Sequence, residues 1–286
     1  IHYLGNSGAS PPECTGDSGR YWYYHSENGG NSFMESQCYA MPGGWSTISS
    51  EKNGSYVYVA QENEDSNSGH VQIRISDDYG RGTGPGPSDG SWAAPKELGP
   101  RNGNCPEGYP VVNNNEAGTV VVVWADCPSG DLGAWDMRMA ISYDHGEEWE
   151  ESWSIAPDWG DSGGITMYPF VSISENNMVS MSWYGLEYGE DGYTEGDEWY
   201  LMAGAIYEPH SGDEFEWVIA DPTPLHTVTS YEQANGDVHA LHDFFETVHS
   251  PDGSWMGIAY QQNIGLHPFE DNEEQRYIKF VRANVV

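Results

Sequence analysis

Short alternating runs of apolar residues divided by polar turns fill most of the chain, and two of them recur at a single offset. Tyr109-Pro110-Val111-Val112 returns as Tyr168-Pro169-Phe170-Val171, and Val120 to Trp124 returns as Val179 to Trp183, both 59 residues later. Looser copies run from Gly54 to Ala60 and from Gly253 to Tyr260. In each copy a strand enters a turn such as Asn53-Gly54 or Asp252-Gly253 and an alternating strand leaves it, which predicts a hairpin. Third strands are expected at His70 to Ser76, Asp136 to Ser142, Tyr200 to Tyr207 and Arg276 to Val281. Poorer fourth strands follow near Trp92 to Leu98, Glu151 to Ala156 and Phe215 to Ala220. No stretch keeps a 3.6-residue apolar period, so helices should be few.

A lone four-stranded sheet cannot cover both of its faces, whereas radially stacked copies cover one another and leave only short edges. The pattern therefore predicts an all-β chain, a β-propeller of four-stranded antiparallel blades at about 46–105, 106–160, 161–235 and 236–286. Residues 1–45 close the ring or form a degenerate first blade, all within a single domain. The count reads as five blades; four is the alternative, and six would require copies that the sequence does not display.

Ser142-Tyr143-Asp144-His145-Gly146-Glu147-Glu148-Trp149 fits Ser/Thr-x-Asp-x-Gly-x-x-Trp in full, where a third strand turns into a fourth. Thr15, Asp17, Gly19 and Trp22 fit it too, and Ser76, Asp78 and Gly80 supply its first half before an insertion reaching Trp92. Ser and Asp side chains bond local N–H groups, and Gly accepts a positive φ. These motifs resemble the Asp boxes of the sialidase-like, BNR-repeat propellers. His242-Asp243-Phe244-Phe245 with Ser250-Pro251-Asp252-Gly253 resembles the closing blade of that family. The resemblance makes the boxes structural, and it spans roughly residues 45 to 286.

Composition changes the picture in three ways. Ten Lys and Arg stand against 45 Asp and Glu, a formal charge of −35. Such a surface cannot replace counterions on phosphate, so nucleic acid is excluded as a partner, and anionic membranes are disfavoured. The excess of acid with scarce lysine suits a chain living in concentrated salt, where repulsion is screened over about 3 Å at 1 M. Mean hydropathy is −0.63 and no run of 18 apolar residues exists, so no membrane insertion is expected. Cys14, Cys38, Cys105 and Cys127 contain no CxxC pair and read as two disulfides, Cys14 with Cys38 and Cys105 with Cys127. Together with a first residue of Ile, this points to an exported, extracellular or surface-exposed protein of a saline environment.

Length varies on the face opposite the boxes, and rigidly held long loops are where binding usually lives. Those loops and their flanks carry the candidate ligand contacts Arg101, Trp159, Tyr184, Tyr188, Tyr193, His226 and His242. Aromatic rings beside polar groups suit the faces and hydroxyls of sugars. Paired carboxylates for glycoside hydrolysis could come from Asp161, Glu232 and Asp243, and Tyr231 with a histidine could serve a lyase. Glu190, Asp191, Glu195 and Asp197 are candidate calcium ligands, although they lack the EF-hand order; no other cofactor is expected.

A sialidase would need, by the resemblance, three arginines on the substrate carboxylate, because a guanidinium pairs it bidentately. Arg74, Arg138 and Arg276 lie on third strands at roughly equivalent places and read as blade features, which leaves Arg101 alone on the loop face. The preferred reading is thus a non-enzymatic recognition or assembly module that binds a glycan or surface glycoprotein, on a cell surface, filament or virion. The alternatives are a sialidase-like carbohydrate-active enzyme, hydrolase or lyase, and a purely structural subunit that packs against itself or other surface proteins.

Overall fold

A computed structural model of the chain describes residues 2–6, 21–26, 28, 31–32, 37–39, 46–63, 69–79, 92–100, 109–126, 136–155, 163–188, 194–228, 246–250, 252–264 and 275–284. Among them every regular element is a strand. Five sheets form, each from sequence neighbours. The first joins β1 (His2–Asn6), β2 (Tyr21–His25) and β3 (Gln37–Tyr39). Next come β4 (Ser46–Ser50), β5 (Val57–Asn63), β6 (His70–Ser76) and β7 (Lys96–Pro100). The third holds β8 (Val111–Asn114), β9 (Val120–Asp126), β10 (Asp136–Ser142) and β11 (Trp153–Ser154). The fourth holds β12 (Gly163–Ile173), β13 (Met178–Tyr188), β14 (Glu198–Tyr207) and β15 (Trp217–Thr227). The last has three strands, β16 (Glu246–His249), β17 (Trp255–Ile264) and β18 (Gln275–Asn284). Among the described residues no helix is long and apolar enough to cross a membrane.

The strand core follows from the apolar runs. Every residue of β9 is buried, as its unbroken valine run requires of a strand covered on both sides. Three expected boundaries move. β13 continues to Tyr188, so Tyr184 lies in a strand and not in a loop. β15 runs on to Thr227, which puts Asp221 and His226 within the sheet. β12 begins at Gly163, ahead of the repeat signature Tyr168-Pro169, where a register shift between Met167 and Phe170 absorbs the proline.

Contacts gather the chain into two units, one of residues 1–101, 109–122 and 140–152, the other of 102–108, 123–139 and 153–286. In the first, the Ser142 hydroxyl donates to Asp144 Oδ1 at 2.7 Å and accepts the Gly146 N–H at 2.9 Å. The Asp144 carboxylate accepts the Glu148 N–H at 2.9 Å, and Trp149 Nε1 donates to the Gly146 carbonyl at 3.0 Å. Ser76 repeats the motif by donating to Asp78 at 2.8 Å, and Trp92 bridges back to Ser76 across the insertion. The boxes at 76 and 142 therefore share one local chemistry. Thr15, Asp17, Gly19 and Gly80 fall outside the described residues, and Trp22 stands in β2. Ser211-Gly212-Asp213, with Trp217 after it, stands at the corresponding turn of the next sheet as a degenerate box, and there the arrangement differs: the Asp213 carboxylate reaches backward to the His210 N–H at 2.7 Å.

The residue after each box aspartate fixes which end of the sheet is which. Tyr79 and His145 have φ of 65° and 61°, and their N–H groups donate to the carbonyls of Ser55 and Gly118 at 3.1 and 2.8 Å. In the second unit Glu208 donates likewise to Asn177 at 3.0 Å. First-to-second and third-to-fourth turns thus meet at one end of each four-stranded sheet. Second-to-third loops leave from the other.

Candidate functional site

Two aspartates bracket the β9–β10 loop at that second end. Asp126 closes the valine strand and is only 2% exposed, and Asp136 opens the next strand. Arg138 lies between them, its Nη1 3.9 Å from Asp126 Oδ2 and 3.8 Å from Asp136 Oδ2. Those two oxygens consequently lie within 7.7 Å of each other, the two spans laid end to end. Asp136 Oδ1 accepts the Met137 N–H at 2.8 Å and the Ser154 hydroxyl at 2.5 Å. Burial raises the Asp136 carboxyl above the usual range and nearby Asp126 adds to it, outweighing the Ser154, Met137 and Arg138 contacts that lower it. A carboxyl kept readier to hold its proton, beside a second carboxylate, is the arrangement general acid catalysis needs.

A second polar constellation in the same unit joins β15 to the last sheet. Asp221 sits at a register shift in the β14–β15 pairing, opposite Leu201. Its Oδ2 accepts the buried Tyr260 hydroxyl and lies 3.4 Å from Lys279 Nζ, while Oδ1 accepts the Thr223 N–H at 2.8 Å. Burial would raise this carboxyl, but the Tyr260 hydroxyl, Thr223 and Lys279 hold it at about 2. Tyr260 is fully enclosed, and this trio fastens two sheets.

At the turn end, Glu51 is 4% exposed and gathers His145 Nδ1 at 2.6 Å, the Tyr58 hydroxyl at 3.2 Å and the Ser55 hydroxyl at 3.3 Å. Tyr56 stacks on the His145 ring at 4.3 Å between centroids. A Cβ on Gly118 would stand 2.6 Å from that ring, so glycine is what lets the histidine lie across the neighbouring turn. The cluster locks two turns together.

His249, at the end of β16, is a further, half-buried titratable group. Its Nδ1 lies 2.9 Å from Ser172 Oγ, Nε2 has no partner among the described residues, and burial lowers its pKa to about 4. A histidine whose folded value falls below its free value costs nothing above pH 6.5 and destabilises the fold as pH drops towards 4. Chemical denaturation at pH 7 and pH 5, in one salt, should show the wild type losing about 2 kcal/mol more than His249→Gln. Equal losses would mean that the ring is solvated.

The residues expected to form the site fare unequally. Tyr184 is 1% exposed and packs edge-on against Tyr168 at 5.9 Å, as core, not as a surface stacking platform. Tyr188 ends β13, and His226 lies half-buried in β15 opposite Trp199. Arg101, Trp159, Tyr193, His242, Asp161, Tyr231, Glu232 and Asp243 lie outside the described residues. So do Cys14, Cys105 and Cys127, with Cys38 in β3, and the calcium candidates Glu190 and Asp191. Of the other two calcium candidates, Asp197 turns its carboxylate to the Thr194 N–H at 2.7 Å, capping its own turn, with Glu195 inside that turn. No group of three or more His, Cys, Asp or Glu gathers to hold a metal among the described residues. Asp126 and Asp136 were missed, although an aspartate ending the run Val120 to Ala125 was the available signal.

No protein-family model matches the chain, and no curated protein matches it. Among solved structures, an α-L-arabinanase of Penicillium chrysogenum complexed with arabinobiose is similar over 96% of this chain and 76% of its own, at 12% identity and a TM-score of 0.53. An α-L-arabinofuranosidase of Fusarium graminearum, complexed with an iminosugar inhibitor, is similar over 93% and 85%, at 10% identity and a TM-score of 0.51. A sialidase of Streptococcus pneumoniae is covered over 35% of its own length, at 13% identity and a TM-score of 0.46. At these identities the first two likenesses establish the fold class, an all-β protein of the β-propeller kind.

Proposed function

We propose that this protein is a carbohydrate-active enzyme that hydrolyses glycosidic bonds of a neutral glycan at the loop end of its sheets. The observation that carries the reading is the Asp126–Arg138–Asp136 arrangement, two carboxylates within 7.7 Å about one guanidinium at the base of a loop. Asp136 acts as the acid that protonates the leaving oxygen; Asp126 acts as base or nucleophile. Either stereochemical course fits, since carboxyl separations of about 5 Å serve retention and about 6.5 Å or more serve inversion. That the two arabinose-directed enzymes share the fold supports a sugar ligand. Arg138 is shared between Asp126 and Asp136 and so is not open to pair a substrate carboxylate bidentately, which favours neutral sugars over a sialidase or lyase substrate. The setting is extracellular and saline, where a net charge of −35 is screened.

Reducing-end release from arabinan and other neutral polysaccharides, measured in molar NaCl against uronic-acid polymers, tests the assignment. Asp136→Asn should lower turnover by about 10³-fold while binding persists. Unchanged turnover in that variant, or ultraviolet-absorbing unsaturated products from uronic-acid polymers, would overturn it. Binding by the wild type without any turnover would return the protein to a recognition module.

A further inference from the structure

We infer that Asn53 is an attachment site for an N-linked glycan, its side-chain nitrogen carrying the first sugar. Asn53-Gly54-Ser55 is the one Asn-x-Ser/Thr triplet in the sequence, and such a triplet is the acceptor of N-glycosylation on exported chains. It forms the turn from β4 to β5, inside a stretch described without a break from residue 46 to 63. Asn53 itself is exposed.

The turn uses one end of the asparagine side chain and leaves the other to solvent. Asn53 Oδ1 accepts the Ser55 N–H at 2.8 Å and the Ser55 hydroxyl at 2.7 Å, nearer than that hydroxyl's other acceptor, Glu51 Oε2, at 3.3 Å. Gly54 takes a φ of 77° and donates its N–H to the Glu51 carbonyl at 2.8 Å. None of these bonds uses Nδ2. A sugar there replaces one amide hydrogen and keeps both Oδ1 bonds. The Tyr79 N–H donates to the Ser55 carbonyl, so the glycan stands at the box end of its own sheet, away from the β5–β6 loop.

A second turn shows what the fold alone requires. Asp252-Gly253-Ser254 leads from β16 to β17 with its glycine at a φ of 71°. Asp252 Oδ1 accepts the Ser254 N–H at 3.1 Å and the Ser254 hydroxyl at 2.7 Å. A carboxylate therefore builds this turn as an amide does, in a chain with 45 acidic residues. What asparagine adds at position 53 is an amide nitrogen.

In the transfer, Nδ2 bonds to the anomeric carbon of an oligosaccharide carried on a lipid pyrophosphate. The bond from that carbon to the pyrophosphate oxygen breaks, the pyrophosphate leaves with the electron pair, and Nδ2 gives up one proton. A membrane-bound oligosaccharyltransferase supplies donor and base. The inference rests on the extracellular setting and is independent of the hydrolase assignment.

Secretion of the full chain from yeast behind that host's signal peptide tests the acceptor whatever the native route of export, so a failure here is separate from a failure of the extracellular reading. Peptide mass mapping before and after peptide N-glycosidase should place oligomannose on Asn53. Ser55→Ala should lose it and Ser55→Thr should keep it. Asn53→Asp should lose the sugar and still fold, because Asp252 holds the same turn. With both Oδ1 bonds intact, the glycosylated protein should melt no lower than the sugar-free protein secreted under tunicamycin. A secreted wild type with no sugar on Asn53, sugar that persists in Ser55→Ala, or a glycosylated protein that melts below the sugar-free one would each overturn the inference.

Discussion

Gly204→Ala is expected to destabilise the second unit by about 3 kcal/mol, the upper end for overpacking a core, and to lower the melting temperature by about 5–10 °C. Gly204 pairs with Met181 and Trp217 inside the fourth sheet. A methyl group there would stand 2.2 Å from Phe215 Cε1 and 2.4 Å from the Glu216 carbonyl oxygen. The ring could swing aside, but only by leaving Trp183, on which it packs edge-on at 6.2 Å. The carbonyl belongs to the backbone leading into β15 and cannot. Adding Phe215→Leu should therefore restore only part of the loss in a urea titration. Full restoration, or a Gly204→Ala protein as stable as wild type, would show that β14 and β15 stand further apart than described.

Asp221→Ala is expected to cost about 3 kcal/mol, the lower end for breaking a buried, hydrogen-bonded ion pair. The change strands the Tyr260 hydroxyl inside the protein and leaves Lys279 without its carboxylate. Most of the loss should trace to Tyr260. Lys279 is 34% exposed, so its share stays below about 1 kcal/mol. Tyr260→Phe and Lys279→Met, each crossed with Asp221→Ala in a double-mutant cycle, separate the two. The pH dependence has a definite sign. With a folded value of about 2 below a free value of 3.8, the carboxylate stabilises fully above pH 4, and that stability is lost as pH falls through 2. A cycle that gave Lys279 the larger coupling would contradict the geometry.

What the sequence revealed was what short-range physics decides. The hairpin at Asn53-Gly54 and the box at Ser142 are built from bonds between residues two to four apart, so their spelling is their structure. The run from Val120 to Trp124 likewise read as a strand, which β9 is. Tyr184 was misplaced because Gly185 interrupts the alternation and reads as a turn, while the strand passes through it with Met202 packed against it. Asp221 lies 39 residues from Tyr260, and Ser154 lies 18 from Asp136; such pairs exist only once register is set. Arg138 was visible as a strand residue, but nothing local said that two carboxylates would face it.

Glycan engagement at the loop end of the sheets, away from the Asp boxes, is the claim on which the function rests. Hydrogen exchange of the full chain, with and without a saturating neutral oligosaccharide in molar NaCl, tests it directly. Protection is predicted at Asp126, at Asp136 to Arg138 and at Ser154. Protection confined to the turns at residues 115–118 and 142–149 would place the ligand at the opposite end and contradict the account.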